Sequence, residues 1–224
     1  MQNTNMCKKI QNLDDLLINS LEKIGENSFS ENELSFLALT SKVENPIRDR
    51  WSYKLHSELQ SDYLLAREWN RSDIAIIDIA CPVAIIEIKA MYTFDCLTFS
   101  SSKPKLDSYI KNLNNDEEKA KNLGCSETAV YTVLLATHPC RSIPDDKKSV
   151  IKYNYEINRS LKSKDPDDLK NFATKEVNSK LTAKNIIKQG ELIGGSSYGI
   201  ETNVLFWLIK AESISSMASS KIAA

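Results

Sequence analysis

The most apolar part of this 224-residue chain contains charged residues that could do chemistry. Two isoleucine-rich runs surround a Pro-containing turn within residues 71–95, a pattern that predicts a two-stranded hairpin buried on both faces. Glu87 and Lys89 stand two positions apart in the second run, so they point to the same face of one strand. A lysine there supplies positive charge where negative charge would build up during phosphoryl chemistry.

The hairpin register brings a second carboxylate to this face. If residues 78–82 form the loop, Ile77 pairs with Val83, and counting outward places Asp73 opposite Glu87. Two carboxylates in a partly dry site repel each other unless one is protonated or a cation lies between them. An all-oxygen site of this kind suits a hard divalent cation such as Mg²⁺.

Asp73, followed after the hairpin turn by Glu87-Ile88-Lys89, resembles the signature of the PD-(D/E)xK nuclease superfamily. This superfamily includes most type II restriction endonucleases and many repair and recombination nucleases. Ser72 stands where the family name has a proline. The resemblance implies metal-dependent hydrolysis of DNA, with Mg²⁺ held by Asp73, Glu87 and the carbonyl of Ile88, and with Asp73 as the bridge if two ions bind. Lys89 would orient the attacking water and stabilise the transition state.

The alternative for these three residues is an internal salt bridge, although burying an ion pair without further partners is rarely a net gain. The family often adds a glutamate from its first helix. Glu44 begins an E-x-x-I-R arrangement with Ile47 and Arg48 that is similar to that element, and Glu58, near the predicted helix end, is the other candidate. We therefore expect Glu44 as the fourth catalytic residue, while a simple charge at the helix terminus explains it nearly as well.

Four other ionisable residues are predicted to have structural roles. Asp78 lies at the predicted turn, on the opposite face to Asp73, and Asp95 lies beyond the strand. His56 and His138 have no nucleophile or acid nearby in the sequence. We expect neither histidine to take part in chemistry.

The elements around the hairpin follow from periodicity and from start and stop signals. Asn45-Pro46 predicts the start of a helix that runs to about residue 61. A strand at 63–69, the hairpin, a helix at 105–123 and a strand at 129–137 follow. The order helix, strand, strand, strand, helix, strand resembles the nuclease core over residues 44–138. We therefore predict an α/β fold with a restriction-endonuclease-like core, whose mixed central sheet is flanked by helices.

Two additions flank this core. Residues 1–43 predict amphipathic helices at 10–25 and from a Ser30 cap to about 41, which would serve packing or dimerisation. Residues 139–224 form an extension on the same domain, with a closing strand at 202–211. The glycine-dense stretch 190–199 has no nucleotide-binding pattern, so we expect a tight turn or a close approach to DNA and no nucleotide cofactor.

The extension is basic although the chain as a whole has a net charge of −1. Residues 139–190 hold twelve Lys and Arg against seven Asp and Glu, a net charge of +5, which leaves −6 for the remainder. Such asymmetry is typical of a surface that contacts DNA phosphates. An ordinary solvated helical segment is the alternative.

Composition excludes several classes of protein. No apolar run approaches a membrane span and residues 1–9 lack a signal-peptide core, so we expect a cytoplasmic protein without a membrane partner. The five cysteines are odd in number and form no C-x-x-C pair, so neither a disulfide scaffold nor a zinc site is expected. Ordinary buried thiols are the expectation.

We interpret the sequence as a Mg²⁺-dependent type II restriction endonuclease acting on double-stranded DNA. A repair or recombination nuclease selective for DNA structure is the nearest alternative, and a non-cleaving DNA-binding or assembly protein on the same fold is the alternative from another class. A double-strand cut needs two active sites, so we expect a homodimer. The N-terminal helices and the strand at 202–210 offer spare apolar surface for it.

Overall fold

The computed structural model describes residues 10–59, 61–78, 81–98 and 105–212. Six α-helices follow in chain order: α1 (Leu13–Asn27), α2 (Glu33–Thr40), α3 (Glu44–Glu58), α4 (Leu106–Leu123), α5 (Asn154–Ser163) and α6 (Pro166–Lys180). The described residues also form six strands: β1 (Leu64–Arg67), β2 (Ile74–Ile77), β3 (Pro82–Tyr92), β4 (Ala129–Pro139), β5 (Asn185–Ser197) and β6 (Ile200–Lys210). Short 3₁₀ turns lie at Trp69–Arg71, Thr93–Cys96 and Asp145–Lys147.

All six strands form one mixed sheet in the order β1-β2-β3-β4-β6-β5. The pair β3 and β4 is parallel and α4 makes the crossover between them, whereas the other neighbouring pairs are antiparallel. The predicted α/β architecture with a mixed sheet is therefore confirmed. The predicted order of elements over 44–138 is also found.

Helices cover both faces of the sheet, and strand alternation decides which residues meet which helices. On one face, Ile86 and Ile88 of β3 pack with Trp51 of α3 and with the buried side of α1. On the other face, Ile85 packs with Ala120 of α4. Glu87 and Lys89 alternate with Ile88 along β3, so they belong to the face that α4 covers.

The N-terminal helices are packing elements. Leu17, Leu21 and Ile24 of α1 and Leu34 of α2 are buried in the main core. β6 lies between β4 and β5, and its residues from Thr202 to Ile209 are buried. The chain itself therefore covers most of the apolar surface that was expected to be spare on these elements, although Phe36 of α2 remains 45% exposed.

The predicted cap of α3 is wrong, whereas the tight turn expected in the glycine-dense stretch is present. Helix α3 begins at Glu44 after the cap residue Val43, so Asn45 is not the cap. The glycine-dense stretch lies mostly in β5, and only Tyr198 and Gly199 form a turn there, with φ values of 56° and 73°. A Cβ at Gly194 would collide with the Thr202 carbonyl, so the close approach is between β5 and β6.

The cysteines differ from the expectation of buried thiols. Cys96 is buried, whereas Cys125 is exposed and Cys140 is half-buried, and all three are free. Cys81 takes part in a disulfide, which the odd cysteine count did not predict. Among the helices that the structure describes, none is long and apolar enough to cross a membrane.

Candidate active site

The candidate site forms where β3 continues past the end of β2. The observed register pairs Ile74 with Ile86, and its continuation places Asp73 opposite Glu87, as the sequence predicts. The loop was misplaced by one position, because the register shifts after Ile76 and Ile77 pairs with Pro82 instead of Val83. This irregularity lies at the turn, so it leaves the Asp73 end of the hairpin unchanged.

Beyond the end of β2, carboxylate oxygens accept the hydrogen bonds that the backbone of β3 donates along this edge. The backbone N–H of Ile88 donates to Asp73 Oδ2 over 2.7 Å, and that of Ala90 donates to Glu44 Oε2 over 3.2 Å. Tyr92 N–H donates in the same way to Asp95 over 3.0 Å. Buried backbone donors need such partners. Both Asp73 and Glu44 are thereby attached to the strand segment that carries Glu87 and Lys89.

Glu87 is the most unusual group of the site. Only 3% of the residue is exposed, and its Oε1 atom has no hydrogen-bond partner in the described part of the chain. Thr132 stands beside it on β4, and the Thr132 hydroxyl also lacks a partner. Burial, followed by the nearby charge of Asp73, raises the pKa of Glu87 to about 8. A carboxylate that is buried beside another acid is stabilised either by binding a proton or by a nearby cation.

Lys89 lies between two carboxylates. Its Nζ atom is 2.9 Å from Asp116 Oδ2 and 3.9 Å from Glu44 Oε1. Burial by itself lowers the pKa of Lys89, but the hydrogen bond to Asp116 and the charge of Glu44 outweigh burial, so the pKa is raised. Lys89 therefore stays protonated at neutral pH. For Glu44, burial is the main reason that its pKa is raised, and the charge of Asp73 adds to this effect.

Helix α4 contributes two residues that the sequence analysis missed. Asp116 pairs with Lys89, and Lys119 donates to the carbonyl of Arg71 over 2.6 Å. The charge of Lys119 also lowers the pKa of Glu87. Asp116 belongs to an acidic run of three residues, but the helix turns Glu117 toward Lys121 and Lys184 instead. Only the rotation of α4 distinguishes these neighbours, so the sequence contained no signal for Asp116.

Arg48 on α3 is a third residue that was missed. Its guanidinium is nearly buried and lies 3.8 Å from Asp73 Oδ1, while it also pairs with Glu68 at 2.8 Å and Asp49 at 3.0 Å. An arginine among three carboxylates is held in one position. Arg48 thus restrains the outer oxygen of Asp73, whose other oxygen is fixed by the strand.

Several residues considered from sequence lie elsewhere. Glu58 pairs with Lys54 and Lys23 at the far end of α3, so Glu44 is the helix glutamate at the site. The N–H of Asp78 donates to the Cys81 carbonyl in the hairpin turn. His138 is buried against Thr93, and burial lowers its pKa to about 4. These contacts are structural.

The acidic side chains of the site determine whether it could hold a metal ion. Among the described residues, no group of three His, Cys, Asp or Glu side chains converges on one point. Mg²⁺ is commonly held by one or two carboxylates, with water and substrate phosphate in the other positions. Asp73 and Glu87 supply the two carboxylates, and the unpartnered Oε1 of Glu87 offers a free oxygen. The Ile88 carbonyl lies on the same strand edge as its N–H, so it also faces Asp73. These residues fit a hard divalent cation.

No family model matches the chain, and no curated protein or solved structure matches it significantly.

Proposed function

We propose that this protein is a Mg²⁺-dependent endonuclease that hydrolyses phosphodiester bonds in double-stranded DNA, as a type II restriction endonuclease does. One observation carries the proposal: Glu87 is buried beside Asp73, and one of its carboxylate oxygens has no hydrogen-bond partner among the residues that the structure describes. The ionised form of Glu87 destabilises the folded protein unless a proton or a cation compensates for it, and such perturbed groups are typical of functional sites. The motif and the order of elements support the same conclusion.

In this mechanism Mg²⁺ would be held by Asp73, Glu87 and the Ile88 carbonyl, and when bound it polarises the phosphate and lowers the pKa of an attacking water. The chain supplies the rest. Lys89 is protonated, so it neutralises charge that develops on the phosphate and orients the water. Arg48 and the β3 backbone hold Asp73 in place.

Glu44 and Asp116 act on Lys89. Glu44 Oε1 is 3.9 Å and Asp116 Oδ2 is 2.9 Å from Nζ, so the ammonium lies between the two helices that carry them and nearer to Asp116. The pair also keeps Lys89 charged. When a phosphate approaches, the ammonium exchanges part of its contact with Asp116 for the phosphate oxygen.

The test uses purified protein, plasmid DNA, and either Mg²⁺ or EDTA. We expect Mg²⁺-dependent cutting that Glu87→Gln abolishes, while the matched variant Glu58→Gln cuts like wild type because Glu58 lies outside the site. Discrete bands indicate sequence recognition, and a smear indicates cutting without sequence preference. Calorimetry should detect Mg²⁺ binding to wild type and its loss in Glu87→Gln. No cutting and no Mg²⁺ binding would refute the proposal.

A second candidate function is a DNA-binding or assembly protein that does not cleave. The observation in its favour is the 2.9 Å ion pair between Lys89 and Asp116, which already satisfies the lysine without any substrate. In this case duplex DNA binds equally well with Mg²⁺ and with EDTA. Lys89→Ala then changes protein stability and leaves DNA binding unchanged.

A further inference from the structure

A basic cleft lies between helix α5 and the loop that precedes it. Its volume is about 460 Å³, and six residues line it: Lys148, Asn154, Tyr155, Asn158, Arg159 and Lys162. Three of these six are basic and none is acidic. The cleft is open to solvent, whereas pockets for small ligands bury most of the ligand surface.

Two asparagines make the walls of the cleft rigid. Asn158 accepts from the Ile143 N–H over 2.6 Å and donates to the Ile143 carbonyl over 3.0 Å. Asn154 donates to the carbonyls of Lys148 and Ile151 over 2.9 and 3.2 Å. Their amides are thus occupied in fixing the loop to α5. The cleft is formed before any ligand arrives, which lowers the entropic cost of binding.

The charge around the cleft is positive. Residues 145–164 contain six Lys and Arg against three Asp and Glu. Asp145 pairs with Lys148 and Asp146 with Lys147, but Lys162 forms no ion pair within the described residues. Tyr155 is 68% exposed at the same place. Lysine and arginine beside an exposed aromatic ring suit the phosphates and sugars of a nucleic acid.

Helix α5 packs against the end of the strand that carries the candidate site. Ile157 of α5 lies in one apolar cluster with Tyr92, the last residue of β3, and with Phe94 in the turn that follows. Tyr92 is three residues beyond Lys89, or about 10 Å along a strand, and its side chain leaves the sheet on the face opposite to Lys89. The cleft is thus connected to the candidate site through the end of β3.

We propose that the cleft formed by Lys148, Tyr155, Arg159 and Lys162 binds backbone phosphates of the nucleic acid outside the cleavage position. The choice of a polynucleotide over a free phosphate rests on the proposed function and on the open shape of the cleft. Each lysine that contacts a phosphate releases counterions, so each contributes about 0.9 to the slope of log affinity against log salt.

Matched double variants test this proposal. The double variant Lys148→Gln/Lys162→Gln removes from the cleft one lysine that forms an ion pair and one that forms none among the described residues. The control, Lys175→Gln with Lys180→Gln, does the same on exposed positions of α6, where Lys180 pairs with Asp107 and Lys175 forms no ion pair in the described chain. Anisotropy of a labelled duplex is measured in EDTA over a salt series. The cleft variant should lose affinity roughly ten-fold or more, and its salt slope should fall by about 1.8, whereas the control stays near wild type.

The possible outcomes separate this proposal from the nuclease proposal. A cleft variant that binds duplex like the control overturns the phosphate cleft, and so does a wild-type protein that binds no duplex at low salt. If inorganic phosphate binds wild type but not the cleft variant, and duplex binds both equally, the cleft takes a small anion and the proposal also fails. Binding that depends on the cleft without any Mg²⁺-dependent cutting upholds the cleft and refutes the nuclease.

Discussion

The backbone N–H of Ile88 donates to Asp73 Oδ2 over 2.7 Å. Asp73 therefore completes the hydrogen bonding of the strand at the residue between Glu87 and Lys89. The same carboxylate is close enough to Glu87 to raise the pKa of that buried acid. Asp73 thus stabilises the edge of β3 and at the same time disfavours the ionised form of Glu87. Two carboxylates in this arrangement favour the binding of a cation.

Lys89→Ala should abolish cleavage while leaving duplex binding within a few-fold of wild type. The change removes positive charge that is needed at the transition state and spares Asp73 and Glu87. The measurements are the cutting rate with Mg²⁺ and anisotropy with EDTA. Lys54→Ala is the control, because Lys54 pairs with Glu58 on α3, away from the site. Cutting by Lys89→Ala at the wild-type rate would rule out a catalytic lysine.

Glu87→Gln should stabilise the metal-free protein at alkaline pH. The pKa of Glu87 rises from 4.5 to about 8 on folding, so the folded state binds the proton more tightly than the unfolded state. Between these two values the Glu87 contribution to stability is progressively lost as pH rises, by at most about 5 kcal/mol at pH 9. The neutral amide does not titrate and should escape this loss.

Denaturant unfolding in EDTA from pH 5 to pH 9 measures this effect for wild type, Glu87→Gln and Glu58→Gln. The difference between wild type and Glu87→Gln should grow with pH, while Glu58→Gln should follow wild type. Mg²⁺ added at pH 9 should restore wild-type stability and leave Glu87→Gln unchanged. A difference that is constant with pH would show that Glu87 titrates normally.

Asp116→Asn should move the alkaline limb of the cutting rate to lower pH. Burial lowers the pKa of Lys89, and the hydrogen bond to Asp116 is the main contribution that offsets it. Without the carboxylate, Lys89 loses its proton at lower pH and the active protonation state is lost sooner. The pH profile of the cutting rate tests this role, with Glu118→Gln as the control because Glu118 pairs with Lys121. An unchanged profile with lower stability would make Asp116 purely structural.

A concerted double-strand cut should require a two-fold dimer, since one chain offers one Asp73–Glu87–Lys89 site. Light scattering with a short duplex should give twice the chain mass, and plasmid should pass to linear product without accumulation of nicked circles. The apolar faces of α1, α2 and β6 pack within one chain, so the interface would use surface that these faces do not supply. A monomer on DNA together with nicked intermediates would contradict this prediction.

The order of elements over residues 44–138 and the pairing of Asp73 with Glu87 follow from the sequence alone. Alternation along β3 is a local property, because side-chain direction in a strand depends on position alone. Counting from one turn was therefore enough, even though the turn itself was misplaced by one residue.

Which other charged side chains reach the site depends on how the helices pack on the sheet. Glu44 and Glu58 lie on the same helix, yet only Glu44 meets Lys89, because the crossing of α3 over β3 determines which end of the helix is near. Asp116 and Glu117 are adjacent, yet only Asp116 reaches Lys89, because the rotation of α4 on the sheet separates them. Helix packing depends on contacts between distant parts of the chain, so the residues of a single helix cannot fix it.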